Sequence, residues 1–204
     1  MTSRNALGFA AALLLVGIGA QAQPVEPPAV NNADAAPYIR SALPLDEPRH
    51  LCIDLPGHGD TVDLAAAFTV HTCKDGMWNL DQRFAWSEDG GALIMPQYDM
   101  CLAAAAPASG SPLTLAGCGT EGTKWLWQNA RLKPAEAPDL CVTIAEGQSE
   151  LTPGGKRFPQ RYRARDVALM PCDDAAIERQ IWSVAQPLDL ETTLLPPAGS
   201  LPVE

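Results

Sequence analysis

The sequence predicts an all-β domain made of three similar units, and three observations carry that prediction. Six cysteines fall into three ordered pairs, with Leu or Met directly before the first cysteine of each pair. An aromatic-ended tripeptide closes each unit. Short β-capable runs such as Ala92-Leu93-Ile94-Met95, Leu113-Thr114-Leu115 and Val167-Ala168-Leu169 are separated by Gly, Pro, Asp and Ser, with little helical period between them. The first copy reads Leu51-Cys52-Ile53-Asp54, Cys73 and Gln82-Arg83-Phe84. The second reads Met100-Cys101-Leu102-Ala103, Cys118 and Trp125-Leu126-Trp127, and the third Leu140-Cys141-Val142-Thr143, Cys172 and Gln180-Ile181-Trp182. A unit of this size cannot bury its apolar face alone, so the copies must pack on one another around a shared core.

In chain order, residues 1–22 read as a secretory signal. Arg4 supplies the positive start, Leu7 to Ile18 is apolar apart from two glycines, and Ala20-Gln21-Ala22 fits a small-residue cleavage site. Spanning a bilayer takes about 20 apolar residues, more than this run offers, so the chain is read as exported to the periplasm or secreted and not membrane-spanning. Residues 23–37, rich in Pro, Ala and Asn, form a flexible lead-in. Residues 38–185 make the folded domain. From Gln186 the tail carries Pro187, Pro196, Pro197 and Pro202, which suit neither a sheet interior nor a helix, and it is read as mobile.

Cysteines in an exported chain read as disulfides. Six of them allow many pairings, and the repeat selects one: Cys52–Cys73, Cys101–Cys118 and Cys141–Cys172, each inside its own copy. No pair has C-x-x-C spacing and no histidine stands at finger spacing, which disfavours zinc. His50, His58 and His71, with Asp54, Asp60 and Asp63 nearby, fix no coordination geometry, so neither metal nor cofactor is assigned.

Loss of residues 1–22 removes only Arg4, leaving 13 basic and 24 acidic residues, a net charge of −11. That balance opposes nucleic acid and anionic membranes, which both demand a basic face. The basic cluster Lys156, Arg157, Arg161, Arg163 and Arg165 is read as a solvated loop. The cysteine spacings of 21, 17 and 31 residues place an insertion in the third copy, around Gly147 to Arg163. Pro153, Gly154, Gly155 and Pro159 mark it as a loop without new secondary structure.

Leu-Cys-Ile-Asp, a later cysteine and a closing Gln-x-Trp or Gln-x-Phe together resemble the repeats of the ricin-type β-trefoil lectins, over residues 38–185. The resemblance implies a β-trefoil of three cysteine-paired repeats with pseudo-threefold symmetry. Phe84, Trp127 and Trp182 are then expected to converge on the core, while the tripeptide glutamines bond to backbone within their own repeats. Trp125 stands where the second copy should carry that glutamine.

In that family a repeat can hold a sugar through three groups: a carboxylate two residues after the first cysteine, an aromatic two before the second, and a polar residue before the Gln-x-Trp. A pyranose has hydroxyls on its rim and C–H groups on one face, so such a mixture suits it. Copy one matches best, with Asp54, His71, Asp81 and Gln82. Copy two offers Ala103, Ala116 and Lys124, and copy three Thr143, Met170 and Arg179; neither is a sugar site of the familiar kind, although Met170 suits an apolar ligand.

No nucleophile elbow, zincin motif, P-loop or dinucleotide fingerprint occurs, so no enzyme is predicted. Two functions remain. One is a secreted carbohydrate-binding module acting on a glycan or glycoprotein surface through copy one. The other is a non-catalytic protein-interaction subunit on the same scaffold, resembling the binding subunits of bacterial cytolethal distending toxins.

Overall fold

A computed structural model describes residues 36–57, 61–74 and 76–186. The expected signal, most of the lead-in and the tail lie outside the described residues. Each repeat contributes four principal strands: β1 (Tyr38–Ser41), β2 (Leu51–Asp54), β3 (Thr69–Thr72) and β4 (Ala85–Trp86); β5 (Leu93–Met95), β6 (Met100–Ala104), β7 (Leu113–Ala116) and β8 (Trp125–Gln128); β9 (Arg131–Pro134), β10 (Leu140–Ile144), β12 (Arg163–Pro171) and β13 (Trp182–Ala185).

Their pairing is cyclic. Within the repeats the antiparallel hairpins are β2–β3, β6–β7 and β10–β12. Between repeats, β4 pairs with β5, β8 with β9, and β13 returns to β1. The last of these unites the two ends of the domain and gives the β-trefoil its closure. Equivalent registers recur: Cys52 faces His71, Cys101 faces Ala116 and Cys141 faces Met170. All three disulfides join the expected partners.

The apolar members of the Leu-Cys-x motif (Leu51, Ile53, Leu102, Leu140, Val142) fill one core with Phe68, Phe84, Leu113, Leu132 and Leu169. Trp125 and Trp182 are the largest side chains in it. This corrects the expected set of core aromatics, because Trp125 takes the central place in repeat two and Trp127 does not. Trp182 donates its indole N–H to Val142 O at 3.0 Å, and Trp125 donates to Leu102 O at 2.9 Å, in each case the residue after the first cysteine. The backbone N–H groups of Phe84, Trp125 and Trp182 bond to Pro37, Gly91 and Ala130, just before the first strand of their own repeats. Trp127 is half-buried and meets Trp86 edge to face, with centroids 6.3 Å apart. The closing tripeptide of repeat two is therefore Thr123-Lys124-Trp125.

The insertion is also corrected. It holds β11 (Glu150–Leu151) and a short helix, α1 (Pro153–Arg157). Thr152 caps the helix by accepting from Gly155 N, and Pro153 stands at its start, where a missing N–H costs nothing. The residues that looked like breakers are thus a helix start. Arg163 and Arg165 belong to β12 and not to a solvated loop. Arg163 donates to Ser149 O at 2.6 Å, and Arg165 pairs with Asp46.

β12 is long because residues 164–166 continue beyond its own hairpin and pair with β3 of repeat one. That extension carries Tyr162 over His71, with ring centroids 5.4 Å apart.

Candidate functional site

In repeat one, β2 supplies Asp54, β3 supplies His71, and a 3-10 helix over Gly76–Gln82 supplies Asp81 and Gln82. The structure brings all four expected residues together. Their surroundings, however, contain a fifth residue that the sequence did not single out. Lys74, next to Cys73, places Nζ 2.8 Å from Asp54 Oδ1 and 2.5 Å from Asp81 Oδ2. Asp54, Asp81, Lys74 and His71 are 2%, 3%, 6% and 8% exposed, so solvent barely reaches any of them.

Lys74 is held at both ends of its residue. Its N–H donates to Gln82 Oε1 at 2.7 Å, while its carbonyl accepts from Tyr38 Oη and Asn79 Nδ2. Gln82 completes the bridge by donating to Thr72 O. Repeat three repeats this device: Asp173 N donates to Gln180 Oε1, and Gln180 Nε2 donates to Pro171 O. The tripeptide glutamines therefore bind backbone on either side of the second cysteine, as expected.

The buried charges perturb one another. Burial raises the Asp54 carboxyl to about 6, against the pull of Lys74. Burial and the neighbouring Asp54 raise Asp81 to about 7. Burial pulls the Lys74 ammonium down, but the two carboxylates outweigh it and hold it above its ordinary value. Burial, reinforced by Lys74, lowers His71 to about 4, and burial with Asp81 pushes the Tyr98 phenol up to about 12.

His71 has a measurable consequence. Its folded value lies below the unfolded one, so between these values the unfolded chain binds the extra proton and stability falls with falling pH. Relative to His71→Gln, the native protein should lose about 3 kcal/mol as pH drops from about 6.5 to 4, read from urea midpoints across that range. Parallel pH curves for the two proteins would show that His71 does not titrate differently on folding.

Repeat two has no polar group at the corresponding places. Leu55 N–H bonds to Asp81 O in repeat one, and Ala104 N–H bonds to Gly122 O in repeat two, so Gly122 is the counterpart of Asp81 where the sequence alignment pointed to Lys124. Gly122 has φ +78°, and a Cβ there would stand 2.3 Å from Ala104 O, so only glycine fits. Lys124 instead pairs with Asp89 at the surface.

Repeat three is open. A cleft of about 460 Å³ is bordered by Thr143, Ala168, Met170, Asp173, Arg179 and Gln180, among others. Thr143, Met170 and Arg179 are the counterparts of Asp54, His71 and Asp81. Met170 is 40% exposed. Arg179 donates to Ile144 O at 2.8 Å and to Glu146 Oε1 at 2.9 Å, which fixes its guanidinium against the rim. Asp166 and Asp173, both exposed, add carboxylates to the border.

Among the described residues no group of three metal-ligating side chains forms, and no helix is long and apolar enough to cross a membrane. His50 Nδ1 is engaged with Ser41 O and His71 Nδ1 with Thr72 O, while His58 lies outside the described residues.

The pairing, the repeated tripeptide contacts and the three hairpin disulfides define a β-trefoil, and comparison with solved structures agrees. The chain is similar to the C-half of an earthworm R-type lectin in complex with GalNAc, at 10% identity and TM-score 0.53 over 74% of this chain and 98% of that one. It is similar to the β-trefoil lectin of the Vibrio vulnificus hemolysin/cytolysin with bound N-acetyl-D-lactosamine, at 19% identity and TM-score 0.52 over 78% and 98%. It is also similar to a designed threefold-symmetric protein, ThreeFoil, at 9% identity and TM-score 0.51 over 73% and 96%. No family model and no curated protein matches the sequence. The chain thus has the fold of the ricin-type β-trefoil lectins.

Proposed function

We propose that the protein is an exported, non-catalytic carbohydrate-binding module whose glycan site is the cleft of repeat three. One observation carries this reading: of the three equivalent positions, only repeat three joins an accessible apolar floor to accessible polar groups. Met170 offers a polarisable thioether to the C–H face of a pyranose, while Arg179, Asp166 and Asp173 offer a donor and acceptors to its hydroxyls. The lectins of like fold, two of them with sugars bound, support a sugar as ligand, and three disulfides support export. The repeat-one reading, with Asp54, His71, Asp81 and Gln82 as ligands, requires Lys74 to leave both carboxylates and Tyr162 to uncover His71.

A glycan array with the mature chain tests the proposal. Binding should be lost in Met170→Ala and Arg179→Ala and kept in Asp54→Ala, with circular dichroism verifying the fold of each. The opposite pattern would move the site to repeat one. No binding anywhere on the array would sink the sugar reading. A second reading, a protein-interaction subunit, is favoured by the occupied polar cluster of repeat one and the bare counterpart in repeat two. A pull-down whose capture survives excess free sugar and the repeat-three substitutions would support it.

A further inference from the structure

The repeat-one cluster holds an arrangement that neither sugar binding nor packing uses. A primary amine lies within 2.8 Å of two carboxyl groups, and all three side chains are almost wholly shut away from water. Every part of this arrangement is fixed from outside. Lys74 follows Cys73, whose disulfide partner Cys52 lies two residues before Asp54 on β2. Gln82 stands beside Asp81 and bonds to the backbone on both sides of Cys73. The unlinked state is also uncomfortable. One ammonium faces two buried carboxyls, and Asp81 Oδ1 is buried without a hydrogen-bond partner.

We propose that Lys74 Nζ and Asp81 Cγ join in an amide bond, with Asp54 as the proton carrier. The starting state is the Lys74 ammonium, the Asp54 carboxylate and the Asp81 carboxylic acid. Burial and the Asp54 charge, which raise Asp81 well above the ordinary carboxyl range, favour that distribution of protons. Asp54 accepts one proton from the ammonium. The freed amine lone pair attacks Asp81 Cγ, giving a tetrahedral centre. A second proton from the nitrogen is delivered through Asp54 to the hydroxyl of Asp81, which leaves as water when the C–O bond breaks. The products are a neutral amide, one water and Asp54 in its protonated form, so atoms and charge balance without an oxidant or cofactor.

Two physical effects drive the step. Holding amine and acid in contact replaces an encounter in solution by an intramolecular one, worth many orders of magnitude in effective concentration. Amide formation also removes a buried ion pair whose desolvation is costly, and the site excludes the water that would reverse it. Among the described residues, His71, Tyr98 and Gln82 also interact with the charged groups of the cluster. The depressed His71 and the raised Tyr98 are both neutral near pH 7, so neither competes for the proton.

Intact-mass spectrometry of the mature, oxidised protein decides the matter without any variant. The expected mass is one water lighter than the chain with three disulfides, and Lys74→Arg should restore the full mass. Trypsin should fail to cut after Lys74, and tandem spectra of the span from His50 to Arg83 should place the link on Asp81. In Asp81→Asn the same attack would expel ammonia in place of water. A wild-type mass with only the disulfide hydrogens missing would overturn the proposal, and so would a link mapped to Asp54 or to any other carboxyl.

Discussion

Replacing Lys74 by Met will lower the folding stability by about 3–5 kcal/mol at neutral pH, the cost of leaving two buried carboxyl groups without the lysine that pairs with both and, once linked, neutralises Asp81. Asp54 and Asp81 are almost wholly buried, and nothing else basic stands within ion-pair distance of them among the described residues. The loss should exceed that from any single surface pair, such as Lys124–Asp89, because exposed pairs contribute little. The triple variant Lys74→Met, Asp54→Asn, Asp81→Asn should recover at least about 2 kcal/mol of the loss, since it removes the stranded charges along with their partner. Urea denaturation at one pH checks both values. A Lys74→Met protein as stable as wild type would mean that the cluster is hydrated and open, and repeat one would again be available to a sugar.

Trp125→Ala will cost about 3–5 kcal/mol and Trp127→Ala only about 1–2 kcal/mol, although both stand in one tripeptide. Trp125 is 2% exposed and spends its indole N–H on Leu102 O, so truncation leaves both a cavity and an unpaired carbonyl. Trp127 loses mainly its edge contact with Trp86. Equal losses, or the reverse order, would show that the repeat-two register is wrong.

That register shows how far the sequence could be read. The cysteines were legible because their even number and their recurrence in the same order, two per copy, select one pairing, and the apolar Leu-Cys-x runs identified core strands. Trp125 was not legible because spacing pointed the other way. Phe84 and Trp182 stand 11 and 10 residues after their second cysteines; Trp127 stands 9 after Cys118 and Trp125 only 7. The polar Thr123, two residues before Trp125, was the available signal, since a short side chain can occupy the glutamine position. Lys74 was missed for a different reason. A lysine beside a cysteine normally reads as surface, and its burial depends on two carboxylates brought in from β2 and the 3-10 helix. The insertion was misread because a threonine, a proline and two glycines spell a turn as easily as a capped helix start; only the docking of the segment against repeat one decides between them.

The three disulfides join cysteines that are consecutive along the chain: first with second, third with fourth, fifth with sixth. A chain emerging from its N-terminus therefore always presents the correct partner before any competing thiol appears. Cys52 meets Cys73 while Cys101 is still to come, and each later pair can close in the same way. Oxidation can keep pace with synthesis, and no bridge has to be broken and remade to reach the native set. The cross-links never join two repeats, so cohesion between repeats rests on the strand pairs β4–β5, β8–β9 and β13–β1 and on the shared core. Covalent assembly runs one hairpin at a time. The ring itself closes only when the last strand arrives.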